Sequence, residues 1–408
     1  MKPIIKVSVL ICVLAIVHQL GAVDLKDART AALTETRKYL DLYGDVSITF
    51  DPQTGYAMAR PMACLALAYF FNHRETGAAK RAPDSGGQSA GVMTDLARGR
   101  EILETLAESH LQGKWGKASW TTAMPVLNMG FAARIGQSHL SADLLAKIER
   151  VVRSEADFLL TIAPFSNDSA KIDADCTKHK TDVRCDTKSE ENAVMAAMLG
   201  LASSLYKDKD AGGRWLEKAR LMAYHSLTRS SDPPFGGIKT LTIFDDFTMG
   251  NHNIYPNPHY MCAAPVVFAE AALFFSLTGM PLPPEFRHNT APLWERIKGF
   301  MDTRDFRWKD FKSDYAHDSP LWFPSAFAYA AVVLNQDSEL LAALLEKKAG
   351  TDFVAIPNSQ KKSELNTYEA EFFTNSNVAK RYIVAYLLLA SATPSRDISG
   401  AGLDSPHD

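Results

Sequence analysis

The stretch from Asn251 to Tyr260, Asn-His-Asn-Ile-Tyr-Pro-Asn-Pro-His-Tyr, puts two histidines, three asparagines and two tyrosines into ten residues. A core does not accommodate so many hydrogen-bonding groups. Pro256 and Pro258 fix backbone angles and remove donors, so the segment reads as a shaped loop leading into the apolar run Ala263–Leu277. His252 is the side chain suited to take or give a proton near neutral pH, with Asn253, His259 and Tyr260 beside it as ligand contacts. Metal binding through His252 and His259 is the rival chemistry. Their spacing of seven in a loop matches no recurring ligand pattern, so no metal is expected.

A second cluster is Asp186-Thr187-Lys188-Ser189-Glu190-Glu191-Asn192, which opens the apolar run Ala193–Leu199. Thr187 with Glu190 three residues later fits a helix capping box. Asn192 is left over, a poor helix former in the first turns of an apolar helix. Its amide must find partners, either a ligand carboxylate or a backbone carbonyl. The third cluster, Arg304 to Asp318, interleaves cations with Phe306, Trp308, Phe311 and Tyr315. Aromatics beside Arg and Lys suit sugar stacking and carboxylate pairing. Arg307, Lys309 and Lys312 stand near Tyr315, and nearby positive charge lowers a phenol's pKa, so Tyr315 reads as an acid or a base. Arg60, one turn after Tyr56 and early in the helix Ala59–His73, is a further candidate for holding an anion.

These loops need elements to hold them, and the rest of the chain reads as helix. Twelve segments read as helix, with apolar residues recurring at three- and four-residue spacing in most of them: Leu25–Leu42, Ala59–His73, Thr94–Gln112, Thr121–Gly136, Ala142–Ile162, Lys188–Tyr206, Arg214–Ser226, Ala263–Leu277, Pro292–Met301, Pro320–Leu334, Ser338–Lys347 and Val378–Ala390. Ser141 and Thr187 are suited to cap starts, and Gly136 and Gly279 to close ends. Ser47–Phe50 and Ile238–Phe244 carry the best strand signals. No fixed-period repeat is present, which argues against a short-repeat solenoid. The expected fold is all-α, an α/α toroid of six or seven helical hairpins. Its long loops, Arg81–Gly91, Ala163–Asp186, Asp232–Tyr260, Met280–Asn289 and Thr303–Asp318, form a cleft at one end.

Residues 1–22 read as a secretory signal, with basic Lys2 and Lys6, an apolar run Val7–Val17 and small Gly21-Ala22 near the cleavage point. The run falls short of the ~20 residues a spanning helix needs. Residues 23–393 form the expected catalytic domain and 394–408 a disordered tail. A secreted chain, extracellular or periplasmic, makes a disulfide between Cys176 and Cys185 the expectation in their polar loop. Cys64 and Cys262 lie among apolar residues and read as buried thiols. Asn167-Asp168-Ser169 is a glycosylation sequon. With 46% apolar and 22% charged residues the chain is globular, and its net charge of −3 gives no support to nucleic-acid or anionic-membrane binding.

Asn, His, Tyr and Arg on an all-helical frame in a secreted chain resemble the polysaccharide lyases of uronic-acid polymers. The resemblance is to the alginate and glucuronan lyases of polysaccharide lyase family 38. It rests on Glu190-Glu191-Asn192, on Asn251-His252-Asn253 with Asn257-Pro258-His259-Tyr260, and on Arg307 to Tyr315. It implies an acidic polysaccharide as substrate, β-elimination as the reaction and no cofactor. By the same resemblance Asn192 neutralises the uronate carboxylate with help from Arg60 and a protonated Glu191. His252 is the base, Tyr315 the acid (or the base for the other C5 epimer), and Arg307 or Lys309 holds the carboxylate or tunes Tyr315. The helical domain of chondroitin lyases is also similar, and there the tyrosine follows the histidine by about nine residues, which favours Tyr260. This chain has no room for the large β domains of those enzymes. Two other functions fit the residues. One is a glycoside hydrolase using two of Asp186, Glu190, Glu191, Asp245, Asp246 and Glu369, at about 5–5.5 Å for retention or about 6.5–9.5 Å for inversion. The other is a non-catalytic glycan-binding protein.

Overall fold

The computed structural model describes residues 23–44, 55–77, 94–166, 186–206, 209–251, 254–309, 323–348 and 367–393. Their helices are α1 (Leu25–Tyr43), α2 (Gly55–Thr76), α3 (Asp95–Leu111), α4 (Trp120–Ile135), α5 (Ala142–Leu160), α6 (Ser189–Leu205), α7 (Lys209–Ser226), α8 (Ala263–Leu277), α9 (Thr290–Gly299), α10 (Pro324–Val332), α11 (Ser338–Lys348) and α12 (Thr367–Ala392). A single helical turn, Pro258–Met261, leads into α8. Each of the twelve expected segments contains a helix, and the described residues are all-α with almost no sheet.

Two kinds of helix alternate along the chain. The even-numbered ones are apolar almost all round, as a helix must be when every face is covered. In α8 every residue from Ala264 to Phe275 is buried, and in α6 all of Glu191 to Ser204. The odd-numbered ones bury one stripe. In α5 it is Leu144, Ile148, Val151, Val152, Glu155, Ala156 and Leu159, with Ser141 capping the start by accepting from the Leu144 N–H.

The six apolar helices pack in succession, α2 on α4, α4 on α6, α6 on α8, α8 on α10, α10 on α12 and α12 back on α2, and α8 also packs directly on α12. Small residues let them approach. A Cβ at Gly130 would stand 2.7 Å from the Leu201 side chain, so the α4–α6 contact needs glycine there. Contacts fix the directions. Arg60 meets Asn377 and Phe71 meets Tyr386, so α2 and α12 run the same way. His259 meets Phe323 and Phe268 meets Tyr329, which sets α8 parallel to α10. Asn72 meets Asp95 while Phe70 meets Gly99, so α3 returns antiparallel along α2. The starts of α2, α6, α8 and α10 therefore gather at one end, called the mouth below.

Three local expectations are corrected. Ile238–Phe244 forms no strand: beyond one bridge between Phe235 and Ile238 it is irregular, with Thr240 and Thr242 bonded to Thr228 and His225. Among the described residues the strands are Met301–Asp302 (β1) and Arg307–Trp308 (β2), a short hairpin where a loop was expected. Thr187 does not cap α6. Its N–H and hydroxyl both donate to Gly250 O, and Lys188 takes the cap position at φ 60° without a side-chain bond. The apolar stretch Pro258–Leu277 is long enough to cross a membrane by length and composition, but it is a buried helix of the cycle. Ser47–Phe50, the signal segment, the sequon and the tail after Pro394 lie outside the described residues.

Candidate active site at the mouth of the helix cycle

The first two sequence clusters meet at the mouth. Thr187 bonds Gly250, and Asn251 and Ile254 exchange backbone hydrogen bonds at 3.1 and 2.9 Å. Asn257 accepts from the Tyr260 N–H through its side chain and donates its own N–H to Met249 O, which pins the single turn before α8. The Tyr260 hydroxyl then crosses to α6. It accepts from the Glu190 N–H at 3.2 Å and donates to Glu191 Oε2 at 3.0 Å. Tyr260 thus supplies the helix-start partner that Thr187 does not.

Glu191 is buried, and burial first, then the neighbouring Asp186 charge, pushes its pKa above the ordinary carboxylate value against the pull of Lys188. Lys188 bridges the two acids, bonding Asp186 and lying 3.2 Å from Glu191. Tyr260 is 2% exposed, and burial next to Glu191 raises its phenol well above the usual value. It is therefore a neutral donor committed to Glu191 and not a base.

Asn192 takes the second of its two readings. It is wholly buried: its Oδ1 accepts from Phe165 N at 2.8 Å, and its Nδ2 donates to Phe165 O and His225 O, both at 2.9 Å. With the amide spent on tying the lead-out of α5 to α6 and α7, no donor is left for a substrate carboxylate.

Arg60 is in the mouth. Its Nη2 donates to Asn377 of α12 at 2.8 Å. One turn further along α12, Arg381 lies with its guanidinium carbon 4.6 Å from the Phe323 ring centre. The other neighbour of that ring is His259, at 4.5 Å and nearly edge-on. Burial, and next the charge of Arg60, lowers the Arg381 pKa to about 10. Beneath this layer Lys380, 2% exposed, lies 2.7 Å from Glu270 Oε1 and 3.0 Å from Asn128 Oδ1, and Asn128 Nδ2 donates to Cys64 Sγ at 3.2 Å. That floor joins α12, α8, α4 and α2.

The remaining candidates are not gathered here. Arg307 and Lys309 are exposed on the β1–β2 hairpin; Lys309 donates its backbone N–H to Phe300 O. The hairpin is anchored by Phe306 on Phe327 and by buried Trp308, and no contact among the described residues brings either cation to the mouth. Asp245 and Asp246 form an exposed turn bonded to Ser230, Thr248 and Arg296. His252, Asn253, Tyr315, Cys176, Cys185 and the Glu369 side chain lie outside the described residues; Cys64 and Cys262 are free and buried. Among the described residues no group of three or more His, Cys, Asp or Glu could hold a metal.

Sequence reasoning missed Arg381, Asn377, Lys380, Glu270 and Phe323. The signal was there: charged residues inside apolar stretches, Glu270 in Ala263–Leu277 and the pair Lys380-Arg381 in Val378–Ala390. No protein-family model, curated protein or solved structure matches this chain.

Proposed function

We propose that the chain is an α/α toroid and a secreted polysaccharide lyase, cleaving a uronic-acid-containing polymer of the alginate or glucuronan type by β-elimination. The succession of helix contacts in which α12 returns to α2 supports the toroid. The observation that carries the reaction is Arg60, fixed to Asn377 of α12 at the mouth. A guanidinium matches a carboxylate, which a neutral glycan lacks. Helix starts gathered at the same end add partial positive charge for an anionic ligand.

In this reading Arg60 neutralises the uronate carboxylate and so acidifies the proton at C5. A base removes that proton, the electron pair forms the C4–C5 double bond, and the bond to O4 breaks as O4 takes up a proton. His252 is the base and Tyr315 the acid that the resemblance implies. Tyr260, bonded to Glu191, positions that carboxyl and does not compete with Tyr315. Asn192 holds the α6 start in place.

A hydrolase is the second reading, favoured by one observation: a buried carboxyl held above its ordinary pKa, Glu191, is what a general acid requires. Alginate, glucuronan and glycosaminoglycans incubated with the purified chain separate the two. New ultraviolet absorbance from an unsaturated uronate marks elimination; new reducing ends without it would replace the lyase by a hydrolase.

A further inference from the structure

A separate group of cations lies at the end of the bundle away from the mouth, where α2, α4 and α8 finish. His73 and Arg74 stand in the last turn of α2. Arg134, in the last turn of α4, donates to Leu277 O at the end of α8 at 3.3 Å. One side chain draws the neighbouring elements in. The Phe70 ring, one turn before His73 and Arg74, packs on Gly99 of α3 and on Gly136 after α4. A Cβ would stand 3.0 Å from that ring at Gly99 and 2.7 Å from it at Gly136. This close approach carries the start of α3 and the turn Gln137–His139 to the end of α2. His73 and His139 meet edge to face with ring centres 4.9 Å apart. Arg100 follows Gly99 in the chain, and its charge acts on His139.

The charge balance there is one-sided. Burial, and then His73 and Arg100, hold His139 below the ordinary histidine value; burial, and then Arg74, lower Arg134. The neighbouring acid, Glu75, is already shared. It lies 2.6 Å from Arg29 Nε and 3.5 Å from Arg74 Nε, and it accepts from the Tyr386 hydroxyl at 3.3 Å. Arg98 is answered by Glu101 at 2.7 Å. Arg100 is exposed and has no ion pair or side-chain hydrogen bond. Helix dipoles account for His73, Arg74 and Arg134, since cations belong at helix C-termini. They do not account for Arg100, in the second turn from the start of α3, where a dipole gives a cation no advantage. A guanidinium beside two imidazoles, with no carboxylate on them, suits an oxyanion.

We propose that His73, His139 and Arg100 form a binding site for a tetrahedral dianion, a phosphate or a sulfate, free or as an ester. Arg100 supplies the permanent charge and the two imidazoles supply hydrogen bonds. The dianion favours the imidazolium form, so binding takes up protons and tightens as the pH falls. The site is about 20 Å along α2 from Arg60, at about 1.5 Å per residue, and does not rest on the lyase reading.

The test is calorimetric titration of the full chain with sodium sulfate, sodium phosphate and methyl phosphate, against sodium chloride at equal ionic strength. Sulfate keeps its charge from pH 8 to pH 6, so its affinity should rise across that interval while the heat of chloride stays flat. His139→Gln should flatten the rise. Arg100→Gln, which breaks no bond within the fold, should weaken sulfate about tenfold, the worth of one charge-assisted contact. Methyl phosphate binding more tightly than phosphate assigns the site to an ester, and the reverse order assigns it to the free anion. Heats no larger than those of chloride, an affinity unchanged in Arg100→Gln, or a sulfate affinity that stays level from pH 8 to pH 6 overturns the inference and leaves the lyase reading untouched.

Discussion

The Tyr260 hydroxyl sits between two consecutive residues of α6, accepting from the Glu190 N–H and donating to the Glu191 carboxylate 3.0 Å away. One phenol therefore does the work of a helix cap and fixes the rotamer of the one acid in the mouth whose pKa is raised. The charged form of Glu191 is disfavoured by folding, so its cost is present above its folded pKa and vanishes as the pH falls below the ordinary carboxylate value. Glu191→Gln should therefore raise the melting temperature at pH 7.5, with the gain shrinking toward pH 4.5, while turnover falls. A gain that is constant across that range would show that the charge is not the cause.

Asn192→Ala should act on stability. It removes three buried hydrogen bonds and leaves the Phe165 N–H and carbonyl without their partner, while the His225 carbonyl keeps the Thr242 hydroxyl, a loss of about 2–4 kcal/mol. Urea denaturation measures it directly. A variant of native stability that has lost turnover would restore Asn192 as the neutraliser.

That reversal marks what the sequence could tell. The helices were legible because apolar periodicity is local: Ala142–Ile162 shows its stripe without reference to any other segment. So was the polar density of Asn251–Tyr260. Partnership was not legible. Whether Asn192 faces a ligand or a backbone carbonyl depends on Phe165 and His225, which come from either side of α6 in the chain. The helix start at Ser189 looked capped from within, yet Thr187 turned to Gly250 and a phenol from seventy residues on took its place. Arg381 and Glu270 were hidden for a related reason. Each is a charged residue in an apolar stretch of helix, and only the packing of one helix on another shows which partners it meets.

The floor of the site makes a sharper demand on packing. Lys380 and Glu270 are 2% and 1% exposed and 2.7 Å apart, and Glu270 Oε2 has no hydrogen-bond partner. Removing one partner strands a buried charge, so Lys380→Met should cost about 3–5 kcal/mol. Pairing it with Glu270→Leu should return most of that loss, since no ion remains to be compensated. A double-mutant cycle in urea gives the coupling; strictly additive losses would mean that the two side chains do not depend on each other.

Acid sensitivity should begin well above the carboxylate range. His225 is fully enclosed, with Nε2 3.1 Å from Phe235 O and Nδ1 2.6 Å from Thr240 Oγ1. A carbonyl only accepts, so Nε2 carries the proton and Nδ1 accepts from the threonine. His288 stacks on Tyr224 at 4.0 Å and bonds Asp232 at 3.0 Å. Burial lowers both imidazoles below 6.5, in His288 against the opposing pull of Asp232. An imidazole lowered by folding costs nothing above that value. As the pH drops below it the unfolded chain binds a proton that the folded chain refuses, and stability falls by at most about 1.4 kcal/mol per pH unit for each histidine. Asp232 and Glu285 are held low despite burial, Asp232 by the Arg229 N–H and His288 and Glu285 by Arg220, so their contribution is lost only below the ordinary carboxylate range. Melting temperature followed from pH 8 to pH 4 should therefore begin to decline near the ordinary histidine value. His288→Phe keeps the stack on Tyr224 and should make the upper part of that decline shallower. A melting temperature that stays level down to pH 5, or a slope untouched by His288→Phe, would place the acid response elsewhere.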